Sequence, residues 1–279
     1  MAGKVKSLVL TGYGINSEVE TAYANTLAGA DAKIVHINDV IDGLVKVDDY
    51  HLLNFPGGFS YGDDLGSGKA FANKVLYAKT PTGPMIDHIQ KFIDDGKLII
   101  GICNGFQILV KMGLLPAFDK NYTGQTATVF YNDKGFRDQW VRLKVNTESQ
   151  CVFTRGISRI DMPVRHGEGK FIPGSQEVLA RLWKNGHVAL QYADSAYQPT
   201  QQFPDNPNGS VDAIAGICDE TGRVFGLMPH PEAFNHITNH PQYTRLREQA
   251  SRKGIALKEE GDGIKVWRNA VEYIEANLL

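Results

Sequence analysis

One cysteine of this chain stands where a nucleophile would. In "KLIIGICNGFQIL", Lys97 to Leu109, a run of branched apolar residues stops at Gly101-Ile102-Cys103-Asn104-Gly105, and an apolar helical pattern begins at once. A sharp strand-to-helix turn lifts one side chain clear of a sheet. The free N–H groups at the helix start then face that side chain and favour negative charge on it. Such surroundings favour thiolate, the nucleophilic form of cysteine. Gly101 and Gly105 flank Cys103 symmetrically, and glycine tolerates both the backbone conformations and the crowding that such a corner imposes. Cys151 and Cys218 carry no such context and read as buried structural residues.

A cysteine nucleophile needs a base, and the base needs an orienting group. Two His-x-Glu triplets lie downstream: His166 and Glu168 in "RHGEGKF", and His230 and Glu232 in "MPHPEAF". The second follows the strand pattern "RVFGL", at the carboxyl end where sites of open α/β sheets gather. Pro229 and Pro231 bracket His230 and stiffen its backbone. Spacing favours His230 and leaves His166 open. An acyl-transfer site also needs donors for an oxyanion. The N–H of Asn104, next after the cysteine, is one candidate. A second could come from "NFPGGFS", where Gly57 and Gly58 follow a strand.

Other motifs fall away on inspection. "GYGINS" half-imitates a dinucleotide fingerprint, with Asp39 downstream as a ribose-binding acid, but Ser17 occupies the third glycine position. "GDDLGSGKA" has one residue too many between Gly62 and Gly68 for a phosphate loop, and Ala70 replaces the magnesium-binding hydroxyl. It reads as a glycine-rich loop. His36, His51, His88 and His187 show no metal-ligand spacing with the cysteines, and most of them read as surface or satisfied core residues. No metal and no cofactor is expected on this chain.

The elements that position these residues alternate. "KSLVLTG", "AKIVHIND", "YHLLNFPGG" and "KLIIGIC" are strand patterns, and "SEVETAYANTLAGA", "MIDHIQKFIDDG" and "NGFQILVKMG" are helical. This alternation predicts an α/β fold, an open, mostly parallel sheet with helices on both faces. "TATVFYND", "WVRLKV", "HVALQYAD" and the hairpin-like "GICDETGRVFGL" predict an added antiparallel portion. In "GIKVWRNAVEYIEANLL", Val266, Trp267, Ala270, Val271, Ile274 and Leu278 share one helical face. No linker divides the chain, so residues 1–279 are expected to form one domain. Bulk composition excludes other classes. The net charge of −2 in 279 residues offers no nucleic-acid surface. No apolar run approaches the roughly 20 residues that span a bilayer. Three cysteines are too few for a disulfide framework, and a cytoplasmic location is expected.

The pattern Gly-x-Cys-x-Gly-x-Gln, here Gly101, Cys103, Gly105 and Gln107, resembles that of the class I (triad-type) glutamine amidotransferases. "PGGFSYGDDLGSG", "HGEGKF" and "NPNGSVDAIAGICDETGRVFGLMPHPE" are similar to the branch of that family that serves purine biosynthesis, from about residue 5 to about residue 240. The resemblance implies a flavodoxin-like architecture and glutamine as substrate. It implies Cys103 as nucleophile, His230 as base and Glu232 as its orienter. Gly58 and Asn104 would form the oxyanion hole, and Gly57 and Gln107 would belong to the glutamine pocket. The ammonia released would pass to an ATP-dependent synthetase partner that carries ATP and magnesium, with a small third subunit as a possible bridge. An amidotransferase for another acceptor, a γ-glutamyl cysteine hydrolase and a non-catalytic binding protein are the alternatives. The chain departs from the family pattern at Ala233, where arginine is common, and at Ser17, where bacterial members often have cysteine. "KAFANKVLYAKTPTGP" looks expanded. A C-terminal helical extension at about 240–279 is expected to alter the docking surface.

Overall fold

The computed structural model describes residues 3–279. Strands β1 (Lys6–Thr11), β2 (Asp31–His36) and β3 (Leu52–Phe55) alternate with helices α1 (Glu18–Leu27) and α2 (Ile37–Ile41). Helix α3 (Lys69–Tyr77), the short pair β4 (Lys79–Thr80) and β5 (Gly83–Pro84), and α4 (Met85–Asp94) lead to β6 (Leu98–Ile102) and α5 (Asn104–Met112). Then come β7 (Ala127–Tyr131), β8 (Arg137–Val145), β9 (Arg159–His166), β10 (Glu168–Pro173), α6 (Gln176–Lys184) and β11 (Val188–Ala193). The hairpin β12 (Ile214–Cys218) and β13 (Val224–Leu227) precedes α7 (Tyr243–Arg252) and α8 (Lys265–Asn277).

Nine strands form one sheet in the order β2-β1-β3-β6-β13-β12-β11-β8-β9. The first five are parallel. Each of the last four runs antiparallel to the strand before it. This is the expected open α/β sheet with its antiparallel portion. Strands β7 and β10 pair separately, as an antiparallel ribbon that packs on α5.

Burial follows from the two faces. Every residue of β3 and β6 is buried, as strands covered on both sides require. Successive side chains point to opposite faces. Asn54 meets Asn25 of α1 and Trp267 of α8, while Phe55 abuts Gly105 of α5. Helices α1 and α8 therefore cover one face and α5 the other. The nine residues of α5 are all buried, because the helix is wedged between the sheet and the β7–β10 ribbon. Gly96 and Gly113 adopt left-handed φ just beyond α4 and α5, where helix-ending glycines belong.

The segment after residue 240 divides in two. Helix α7 buries no residue. Helix α8 buries Val266, Trp267, Ala270, Val271 and Ile274. Its apolar face is thus committed to the core and is not available for docking. The stretch that looked expanded is α3 followed by the β4–β5 pair, and the glycine-rich loop before it ends at Gly68, immediately before α3. No helix among the described residues is long and apolar enough to cross a membrane.

Candidate active site

The site stands on three neighbouring strands. β3 and β13 flank β6 in parallel, with Phe55 beside Gly101 and Ile102 beside Leu227. Their carboxyl ends lie side by side, so the loops that follow them converge. Gly57 and Gly58 follow β3, Cys103 follows β6, and His230 follows β13.

Cys103 is the corner. Its φ of 52° and ψ of −105° lie where a non-glycine residue is strained. Its N–H donates to Leu227 O at 2.8 Å, and its carbonyl accepts from Gln107 N–H at 3.1 Å. Strand and helix thus pin it from both sides. Neither Gly101 nor Gly105 has a positive φ. The strained conformation falls on the cysteine itself, which corrects the sequence-based expectation that its neighbours absorb it. The glycines answer crowding alone. A Cβ on Gly105 would lie 1.8 Å from Phe55 O, and one on Gly101 would lie 2.7 Å from the Gly105 carbonyl.

His230 is held as a base would be. Its N–H donates to Pro163 O of β9 at 2.8 Å. Its Nδ1 lies 2.6 Å from Glu232 Oε1, and both side chains are buried. A carboxylate at that distance holds a proton on Nδ1, and Nε2 has no hydrogen-bond partner. Burial alone would lower the imidazole pKa. The Glu232 carboxylate and the adjacent Cys103 sulfur outweigh it and raise the pKa to about 10. Cys103, His230, Glu232 and Gly58 share a cleft of about 310 Å³. The Cys103 thiol lies 3.8 Å from the Arg165 carbonyl, to which it donates.

The other His-x-Glu triplet is built differently. His166 is buried beside Asn132, whose Nδ2 lies 3.2 Å from its Nδ1. Burial first, and then the charge of His230, push its pKa down to about 3. Glu168 faces away, accepting from Ser67 N–H at 3.1 Å. Neither residue lines the cleft.

Gly57, Asn104 and Gln107 do not line the cleft either. A Cβ on Gly57 would lie 2.8 Å from His230 Cε1, so this glycine makes room for the imidazole. Gln107 is a strut behind the nucleophile. Its Oε1 accepts from Asn104 Nδ2 at 2.8 Å, and its Nε2 donates to the Glu168 carbonyl. Gly58 has φ 154°, and a Cβ there would lie 2.5 Å from Gly14 O.

The family described as the CobB/CobQ-like glutamine amidotransferase domain matches residues 4–274. The chain belongs to this family. It is 44% identical over 271 residues to phosphoribosylformylglycinamidine synthase subunit PurQ of Methanococcus maripaludis, covering 96% of this chain and 97% of that protein. It is also 44% identical to the protein of the same name from Dehalococcoides mccartyi, with 97% and 98% coverage. A solved structure described as PurLQS from Thermotoga maritima contains a chain that superposes with a TM-score of 0.69 at 29% identity, with 98% of this chain and all of that one aligned.

Ser17 and Ala233, where the resemblance leads one to expect cysteine and arginine, both line the cleft. So do Phe136, Asp138 and Arg165, which sequence spacing did not single out. Asp138 and Arg165 meet only because β8 pairs with β9 in that register. The glycines of "GYGINS" serve packing, since a Cβ on Gly14 would lie 2.5 Å from Phe59 O. His187 departs from the expectation of a satisfied core residue. It is fully buried, stacked on Phe118 at 5.2 Å, and neither ring nitrogen has a partner.

Proposed function

We propose that this amidotransferase is the glutaminase component of phosphoribosylformylglycinamidine synthase, acting in the cytoplasm in purine biosynthesis. The observation that carries the reading is the convergence of Cys103, His230 and Glu232 on one cleft, with the 2.6 Å imidazole–carboxylate contact behind the free Nε2. The names of relatives 44% identical over nearly the whole chain support the choice of pathway.

In the proposed chemistry the proton of the Cys103 thiol rests on His230 Nε2, as the raised imidazole pKa favours, and the Cys103 thiolate attacks the side-chain amide carbon of glutamine. The N–H groups of Gly58 and Asn104 receive the oxyanion, each contributing about 3 kcal/mol in comparable sites. The imidazolium then protonates the leaving nitrogen, ammonia departs, and a γ-glutamyl thioester remains. Next, His230 deprotonates a water that attacks the thioester, and the proton returns to the departing cysteine sulfur as glutamate leaves. The raised pKa of His230 suits a group that must hold a proton between these steps. Ammonia that is to act as a nucleophile must reach its acceptor unprotonated. It passes to an ATP-dependent synthetase partner that binds ATP and magnesium, with a small third subunit bridging the two.

The test uses the reconstituted complex. Cys103→Ala abolishes glutamine-dependent synthesis while added ammonia still supports it. Synthesis from glutamine by that variant would refute the assignment.

A further inference from the structure

Helix α5 carries three polar side chains, Asn104, Gln107 and Lys111, in an otherwise apolar and wholly buried segment. Their spacing of three and four residues puts them on one face. That face meets the loop of residues 58–68 and the start of β10. Asn104 Oδ1 accepts from Ser60 N–H at 3.3 Å near one end of the loop. Near the other end, Lys111 Nζ donates to Ser67 O. Glu168 closes the ring. Its Oε2 accepts from Ser67 N–H at 3.1 Å and lies 3.9 Å from Lys111 Nζ, and its carbonyl accepts from Gln107 Nε2.

The loop so held is not one the backbone adopts unaided. Tyr61, Gly62 and Asp63 are consecutive left-handed residues, with φ of 55°, 63° and 58°. Strained segments persist only where their surroundings over-determine them. The loop begins at Gly58, which lines the cleft. A buried ion pair adds little net stability compared with apolar residues of the same volume. Lys111 and Glu168 are 9% and 6% exposed, so their presence calls for another explanation.

We propose that Glu168 and Lys111 are positioning residues that fix the Gly58 loop against α5, so that the two oxyanion donors keep one geometry. The inference deepens the function proposed above and rests on it. It gives "HGEG" a role that does not touch the substrate.

Two charge-neutral double variants test it, assayed for glutamine hydrolysis in complex with the synthetase. Lys111→Met with Glu168→Gln keeps an acceptor for Ser67 N–H. Lys111→Met with Glu168→Leu removes it. A displacement near 1 Å is worth about 100-fold in rate. A partial shift predicts a kcat about 30-fold lower in the Leu variant than in the Gln variant, which itself falls about tenfold or less below wild type. The KM for glutamine stays within about threefold, and iodoacetamide alkylates Cys103 at the same rate in both. Equal kcat values, or a loss that appears in KM or in alkylation, would overturn the proposal. So would failure of the Leu variant to fold while the Gln variant folds and matches wild-type kcat, since the acceptor would then serve stability alone. Glutamine-dependent synthesis surviving Cys103→Ala would instead strike at the function itself, whatever the double variants do.

Discussion

Replacing Gly105 with alanine probes the corner at its tightest point. The added Cβ would sit 1.8 Å from the Phe55 carbonyl oxygen, whereas side-chain carbons essentially never come within 3.0 Å of such atoms. The difference, 3.0 − 1.8 = 1.2 Å, must be made up by moving α5 away from β3. Both are backbone segments in a packed core, so no side chain can swing aside to absorb it. If the two elements share the shift, the Asn104 N–H one residue earlier moves by about 0.6 Å. That stretches a hydrogen bond of about 2.9 Å beyond the useful range. Loss of the oxyanion donor proposed for Asn104 lowers kcat by about 100- to 1000-fold, and overpacking lowers stability by about 1–3 kcal/mol or more. Gly101→Ala is the control. Its backbone conflict is with the Gly105 carbonyl at 2.7 Å, leaving 3.0 − 2.7 = 0.3 Å to find, and its tightest contact, the tip of the Leu109 side chain at 2.6 Å, leaves 3.0 − 2.6 = 0.4 Å. Steady-state glutamine hydrolysis and urea unfolding should therefore rank Gly105→Ala far below Gly101→Ala. A Gly105→Ala enzyme within about fivefold of wild-type kcat, or the opposite ranking, would refute the crowding argument.

Two further outcomes follow from burial and charge. The folded-state pKa of His230, about 10, lies above its ordinary 6.5. Its contribution to stability is therefore fully present below about pH 6.5 and is lost as pH rises through about 10. Between these limits the urea midpoint of the wild type should fall more steeply than that of Glu232→Gln, which lacks the largest of the charges that raise the pKa; parallel slopes would contradict this. Trp267 is fully buried, and its Nε1 donates to Asn54 Oδ1 at 3.1 Å. Trp267→Ala should lower unfolding free energy by about 3–5 kcal/mol. Trp267→Phe should lose less, because Asn25 Nδ2 still donates to the same oxygen; a neutral Trp267→Ala in a urea titration would show α8 to be dispensable.

Legibility from sequence divided along physical lines. The parallel half announced itself because its strands are short apolar runs and its helices end at glycines such as Gly96 and Gly113. The corner at Cys103 and the β12–β13 hairpin were legible for the same local reason. Strand β9 was not. It carries Pro163, which edge strands tolerate, and it is the outermost strand of the sheet. Its register with β8 is a long-range fact that no local pattern encodes. Helix α6 follows no strand pattern that would announce it, and the glycines before α3 mask its start. Within the site, the two His-x-Glu triplets look alike as text. They separate only in space, where His230 has a carboxylate at 2.6 Å and His166 has an amide. Gln107 stands out in the sequence only by its place in the Gly-x-Cys-x-Gly-x-Gln pattern. That its amide is already engaged at both ends depends on β10, which sequence did not reveal.

The contact between Trp267 and Asn54 also sets an order of events during synthesis. The two residues are 213 positions apart. At about 5–20 residues per second, the tryptophan is made roughly 10–40 s after the asparagine. Throughout that interval the face of β1 and β3 that α1 and α8 share has only α1 upon it, and the polar cluster of Ser7, Asn25 and Asn54 stays open on the α8 side. The strand that leads to the Gly58 loop is therefore completed late. A nascent chain already carrying Cys103 and His230 would still have this polar cluster uncovered on the side that α8 later closes.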